Sequence, residues 1–165
     1  MKVRPNAYLA TAFIVALLPV FLIIPIWVNY DVLLTEGHAH GGEEVDIEEL
    51  REQTLMYIKR NELPDGTVEG VLMPDANYIM ASQFSWTPGT VRMQVGETYM
   101  FIAFTVDVVH GFSFNLGDSS FNLVLVPGSP ATIHITPSQP GEYLLLCNEY
   151  CGAGHDYMFT IFIVE

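Results

Sequence analysis

Basic side chains are scarce in this 165-residue chain, where six Lys and Arg stand against nineteen Asp and Glu for a formal net charge of −13. Nucleic-acid phosphates need cationic partners, so this balance disfavours a nucleic-acid ligand. Between residues 6 and 30 there is no charge of either sign. No basic residue occurs between Arg4 and Arg51, and no C-x-x-C-H sequence occurs at all. The last absence excludes an attached c-type haem. Cysteine is scarce too, with Cys147 and Cys151 alone.

The uncharged stretch sets the compartment. Its residues are mostly Ala, Leu, Ile, Val and Phe, and about twenty apolar residues cross a bilayer as a helix. Trp27 and Tyr30 stand at one end, as interfacial aromatics do. Pro19 and Pro25 would strain a soluble helix but are better tolerated in a membrane. The run is long for a signal peptide, and no small-x-small cleavage site follows it. An uncleaved anchor is therefore expected over residues 1–35. With Lys2 and Arg4 in front, the positive-inside rule keeps the N-terminus cytoplasmic and exports the rest. All nineteen carboxylates follow the uncharged stretch, against Arg51, Lys59, Arg60 and Arg92. Such a field favours a basic partner, though it also serves ordinary solubility.

Both cysteines lie in Cys147-Asn148-Glu149-Tyr150-Cys151-Gly152-Ala153-Gly154-His155-Asp156-Tyr157-Met158. Thiolates and a thioether beside an imidazole favour copper over magnesium or calcium. Two cysteines in one loop can present two sulfurs to the same pair of ions, and His110 is well placed to add a second imidazole. Three other outcomes remain open on these residues alone. Exported cysteines usually pair, so a Cys147–Cys151 disulfide is one. A single blue-copper centre would leave one cysteine idle. Structural zinc would accept Cys, Cys, His and His but has little use for Met158.

The pattern C-x3-C-x3-H-x2-M resembles the dinuclear copper loop of subunit II of haem-copper oxidases, the CuA domain. Asp107-Val108-Val109-His110-Gly111-Phe112 resembles the segment that supplies the first histidine in that family. Val126-Pro127-Gly128 and Pro140-Gly141-Glu142-Tyr143 resemble its turns. The likeness covers about half the chain, from Met80 to the end.

Short candidate strands at 78–84, 90–95, 98–105, 112–116, 122–126, 131–136, 141–147 and 158–164 are separated by turns such as Pro88-Gly89, Val95-Gly96 and Pro127-Gly128. That spacing suggests an antiparallel sandwich. With the family likeness, residues 78–165 are expected to form an all-β cupredoxin-like Greek-key sandwich preceded by one N-terminal transmembrane α-helix. The copper loop would fall between the last two strands, and His110 at a strand exit. Residues 36–77 are read as an acidic linker and helix. Gly-rich 36–42 is a connector whose His38 and His40 lack a fixed third ligand. Residues 43–61 form a helix with acids first and Lys59 and Arg60 last. Its apolar face would be Ile47, Leu50, Leu55 and Ile58. Pro64-Asp65-Gly66 turns the chain, and residues 68–73 could add a short strand.

The resemblance also implies roles. Cys147 and Cys151 would bridge two coppers, and His110 and His155 would each give one nitrogen. Met158 would be a weak ligand on the His110 side, and the backbone carbonyl of Glu149 on the His155 side. The Glu149 carboxylate would be free to reach a magnesium ion at an interface. Trp86, with Phe84, occupies the place of an exposed aromatic patch for electron entry, with core packing as the equal alternative. Apart from the likeness, Asp107 is placed either to orient His110 or to stand as a surface acid of the strand, and His134 matches no ligand. Such a chain carries electrons without substrate chemistry of its own. It would take them from a soluble donor, such as a cytochrome c or a copper protein, and pass them to haem in a membrane subunit I that reduces oxygen. A separate small helix subunit can complete single-helix versions. The competing readings are a nitric oxide reductase subunit, a copper chaperone or storage protein, and a copper-free subunit with a disulfide.

Overall fold

The computed structural model describes residues 5–18, 45–117 and 119–165. Helix α1 spans Pro5–Leu18. Its described side chains are mostly apolar and mostly exposed, Tyr8, Leu9, Phe13, Ile14, Val15 and Leu18 among them. Among the described residues no helix is long and apolar enough to cross a membrane. The remainder of the expected anchor, with Pro19, Pro25, Trp27 and Tyr30, and the 36–42 connector lie outside the described residues.

Helix α2, Ile47–Asn61, begins where Asp46 caps it: the carboxylate accepts from the backbone N–H groups of Glu48 (2.9 Å) and Glu49 (3.3 Å). Those N–H groups have no partner inside the helix, which is why the start is set by the cap and not by the preceding acidic run. Glu48 and Glu49 at the start and Lys59 and Arg60 at the end complement the helix dipole. The buried stripe is Leu50, Thr54 and Tyr57. Leu55, expected on that face, is exposed. Thr54 is buried in place of an apolar residue because its hydroxyl donates to the Leu50 carbonyl at 2.8 Å. Leu50 packs with Met80 and Phe104, flanked by Val45, Ile47, Tyr78 and Ile102. The helix and the two sheets thereby form one compact unit.

Among the described residues ten strands follow: β1 Val68–Glu69, β2 Ala76–Ser82, β3 Ser85–Thr87, β4 Thr90–Met93, β5 Tyr99–Thr105, β6 His110–Asn115, β7 Ser120–Leu125, β8 Ala131–Ile135, β9 Gly141–Leu146 and β10 Phe159–Val164. One sheet has the order β1-β4-β10-β9-β6-β7 and the other β3-β2-β5-β8. This is the expected cupredoxin-like sandwich, with one correction to its pairing. The β1–β4, β4–β10 and β2–β5 pairs are parallel. Their partners are not joined by hairpins but reached by crossovers between the sheets, and only hairpin neighbours must be antiparallel. Between the sheets lie Ile79, Val91, Phe101, Phe112, Phe114, Leu125, Ile135, Leu145 and Phe162, all but closed to solvent. The alternation is plain in β9, where Leu145 points in and Leu144 and Leu146 point out.

Asn77 ties the helix to both the sheet and the segment before it. Its Oδ1 accepts from the Val71 N–H (2.7 Å) and the Tyr57 hydroxyl (3.0 Å), and its Nδ2 donates to the carbonyls of Val71 (2.8 Å) and Met100 (3.1 Å). Asn77→Ala would leave these buried groups unpaired and is expected to cost about 3 kcal/mol in denaturant unfolding. Gln53→Ala, which removes an exposed contact to Glu49, should stay within about 0.5 kcal/mol. Equal midpoints for the two variants would refute the role given to Asn77.

Candidate metal centre

The site sits at one end of the sandwich, on the loop between β9 and β10. The Cys147 N–H donates to the Met158 carbonyl at 3.1 Å, one rung beyond the Leu146–Phe159 pair of the ladder. The loop is thus pinched at its base, with a ligand candidate on each side. At its tip the chain closes through His155 N–H to the Gly152 carbonyl and Tyr157 N–H to the Gly154 carbonyl, both 3.1 Å. A 3-10 turn over His155–Tyr157 results. Gly152 has φ of +133°, a backbone region that side chains disfavour.

The six candidate ligands converge. The Cys147 and Cys151 sulfurs lie 3.7 Å apart and both thiols are free, where a disulfide needs about 2.05 Å. The sequence-based disulfide alternative is therefore not adopted by this fold. His110 Nδ1 is 3.7 Å from the Cys147 sulfur, and His155 Nδ1 is 3.7 Å from the Cys151 sulfur. Met158 Sδ lies 3.2 Å from His110 Nδ1 and 3.7 Å from the Cys151 sulfur. The Glu149 carbonyl oxygen is 3.2 Å from the Cys147 sulfur, while the rest of that residue is exposed. Among the described residues, His110, Cys147 and Cys151 form the one cluster of side-chain donors able to hold a metal, and the Glu149 carboxylate joins none. His110, Cys147, Cys151 and Met158 are buried, and His155 is partly open. This donor set suits a soft metal such as copper.

Asp107 fixes the imidazole of His110. Its Oδ1 lies 2.8 Å from His110 Nε2, so Nε2 carries the proton and Nδ1 turns its lone pair to the sulfurs. The carboxylate also accepts from the backbone N–H groups of Gln83 (2.7 Å) and Val108 (2.6 Å). Partial burial pushes the Asp107 carboxyl up, but these hydrogen bonds together outweigh it and hold the group below its ordinary range. Burial, then the hydrogen bond and charge of Cys147, push the Cys151 thiol up to about 11.

The aromatic expectation needs correcting. Trp86 is not exposed but buried at 4 %, because the alternation of β3 turns it inward between exposed Ser85 and half-buried Thr87. It packs edge-on against Phe112 with ring centroids 5.9 Å apart. Phe84, in the turn before β3, is the exposed ring, at 37 %. It lies on the ligand loop so closely that a Cβ on Gly154 would come within 2.5 Å of it. Tyr150 and Tyr157, in the same loop, project into solvent.

Three residues of the site carried no signal of their own in the sequence. Gly111 lets β6 approach the loop; a Cβ there would sit 2.0 Å from Asn148 Oδ1 and 2.6 Å from the Glu149 nitrogen. Asn148 is held by Asn122 at 2.7 Å. Gln83, 68 positions before Cys151, donates from its side-chain amide to the Cys151 carbonyl.

No family model matches the chain. It is 34 % identical over 88 residues to the cytochrome c oxidase subunit 2 of Thermus thermophilus, covering 53 % of this chain and 64 % of that protein. It is 30 % identical over 80 residues to the quinol oxidase subunit 2 of Sulfolobus acidocaldarius, covering 48 % of each. The chain thus spans less than two thirds of the length of these curated relatives. A chain of a haem-copper terminal oxidase dimer solved by cryo-electron microscopy shares its fold, with a TM-score of 0.52 and 21 % identity over 94 % of this chain and 98 % of that one. Over about half its length the chain is therefore similar in sequence to subunit 2 of a cytochrome c oxidase and of a quinol oxidase, and it shares the fold of a chain from a haem-copper terminal oxidase.

Gly111→Ala should push the Asn148–Glu149 backbone away from β6 and weaken copper binding at least about 10-fold in a competition titration; unaltered affinity would show that the close approach is dispensable. A second expectation concerns pH. The folded chain holds the Cys151 proton more tightly than the unfolded chain, whose thiol titrates near its ordinary value of about 9. That contribution to metal-free stability is whole below about pH 9 and is lost as pH rises toward about 11. Tyr57, also raised by burial, adds a loss in the same direction. Unfolding midpoints should therefore fall above pH 9, and less steeply in Cys151→Ser; identical slopes would contradict the shifted thiol.

Proposed function

We propose that this chain is the electron-transfer subunit of a membrane haem-copper oxidase, holding a dinuclear copper centre of the CuA type. One observation carries the reading: two unbonded sulfurs 3.7 Å apart, each with its own imidazole nitrogen at 3.7 Å. A single tetrahedral ion would gather all four donors around one point, yet His155 stands outside the trio of His110, Cys147 and Cys151. Two Cys–His pairs would suit a pair of coppers held by Cys147, Cys151, His110 and His155. Met158 and the Glu149 carbonyl would add weaker donors. Bound there, a copper pair supplies reversible one-electron carriage.

The protein's part is to hold these donors still. Asp107 keeps His110 in one tautomer and one orientation, and Gly111 admits the loop against β6. Burial of Cys147, Cys151 and Met158 keeps water from competing for the metals. The partly open edge of His155 and the exposed ring of Phe84 are the points where the centre meets the surface. Phe84 is the entry point we favour, with buried Trp86 behind it as packing.

Partners follow from the same reading. The excess of carboxylates supports a cationic soluble donor, a cytochrome c or a small copper protein, whose association would weaken with salt. The electron would pass to haem in a membrane subunit I, where oxygen is reduced. Helix α1, mostly apolar in its described side chains, supports a single-pass anchor in the cell membrane. The N-terminus would be cytoplasmic and the sandwich on the outer side. A small helix subunit could stand beside it, and magnesium at the subunit interface would use the Glu149 carboxylate.

The test is a copper count with an electron paramagnetic resonance spectrum of the copper-loaded chain. Two coppers per chain, with hyperfine structure from two equivalent nuclei, is the expected result. One copper with single-nucleus hyperfine would replace this reading with a blue-copper or chaperone role. Cys147→Ser and Cys151→Ser should each abolish the two-nucleus pattern.

A further inference from the structure

We infer that Gln83 is a positioning residue that locks the two halves of the metal centre to each other; this rests on the copper-centre reading above. The two halves come from distant parts of the chain. One is His110 with its orienting Asp107, at the start of β6. The other is the Cys147–Met158 loop. Gln83 lies in the turn between β2 and β3 and reaches both. Its backbone N–H donates to Asp107 Oδ2 at 2.7 Å, and its side-chain amide donates to the Cys151 carbonyl. Asp107 in turn holds His110 Nε2 at 2.8 Å, and His110 Nδ1 meets Met158 Sδ at 3.2 Å. The contacts close a ring: Gln83, Asp107, His110, Met158 and, through the loop, Cys151.

The neighbouring residue completes the clasp. The Phe84 ring lies over the loop glycines, where a Cβ on Gly152 would be 2.9 Å from the Gln83 amide nitrogen and 3.0 Å from the Phe84 ring. The turn therefore presses on the tip of the loop from outside, while the Cys147–Met158 rung fixes its base. Among the described residues no other polar contact joins the turn to Cys151, so without the amide the loop tip can move independently of His110. Sharing of one electron between two Cys–His halves depends on their relative placement, so Gln83 acts on the centre without touching metal.

Gln83→Met keeps the length and removes the donor; Gln83→Lys restores an N–H donor at this exposed position. Two measurements on the full chain separate this proposal from the reading beneath it. In the metal-free chain, amide hydrogen exchange of residues 151–158 should speed up in Gln83→Met, that of the β9–β10 rungs should not, and Gln83→Lys should recover part of the protection. Unchanged exchange in Gln83→Met would overturn the clasp whatever the metal content. In the copper-loaded chain, Gln83→Met should bind copper about 10–100-fold more weakly and lose the equivalence of the two nuclei in its hyperfine pattern. An unaltered pattern and affinity would likewise overturn it. A wild-type chain without a copper pair would defeat the functional reading, and the exchange experiment would still decide the clasp.

Discussion

Everything at the functional end of this molecule depends on keeping two thiols at 3.7 Å without letting them bond. A disulfide between residues four apart closes a small loop at modest cost, and oxidising compartments favour it. Here the sulfurs are held apart by what surrounds them. Cys147 is fixed by the last rung of the β9–β10 ladder, and Cys151 by a turn from the opposite sheet. Each is anchored to a different layer of the sandwich, so their separation is a property of the whole fold and not of the loop.

That arrangement explains why the sandwich is built as it is. β9 and β10 supply the base of the loop, and β6 beside β9 brings His110 to it. The β2–β3 hairpin, at the edge of the second sheet, folds its turn over the loop tip. The core between the sheets is continuous with the sulfurs: Cys147, Cys151 and Met158 belong to the same apolar cluster as Phe112, Leu145 and Trp86. A rigid, close-packed interior transmits position with little give, which is the quality a site needs if its ligands are to move little when charge changes.

How much of this could be read from residues alone follows from distance along the chain. The loop ligands announce themselves because four side-chain donors of three types, Cys147, Cys151, His155 and Met158, fall within one short stretch. His110 is 37 positions from Cys147; it is legible as a spare imidazole, and the family likeness makes it a specific ligand. Gln83 was not legible, since glutamine has no characteristic spacing and its two partners are remote in different directions. For Trp86 the family likeness suggests a surface patch shared with Phe84, with core packing as the alternative; the alternation of a three-residue strand, too short to recognise, puts it inside. The Leu55 expectation failed for a related reason. A helix face counted on apolar residues alone overlooks Thr54, whose hydroxyl finds a partner within the helix. The parallel pairings were hidden because register between crossover strands leaves no local pattern.

Electrostatics ties the parts together. A buried thiolate without a cation would bear a desolvation cost of several kcal/mol, and burial accordingly favours the neutral thiol of Cys151. The frame thus folds with Cys151 in place and its thiol protonated, and metal binding there would release that proton. On the other side of the site Asp107 does the opposite: its hydrogen bonds hold its carboxyl below the ordinary range. The fold thus keeps apart the carboxylate that orients a ligand, charged from the start, and a buried thiol whose charge waits for a cation to meet it.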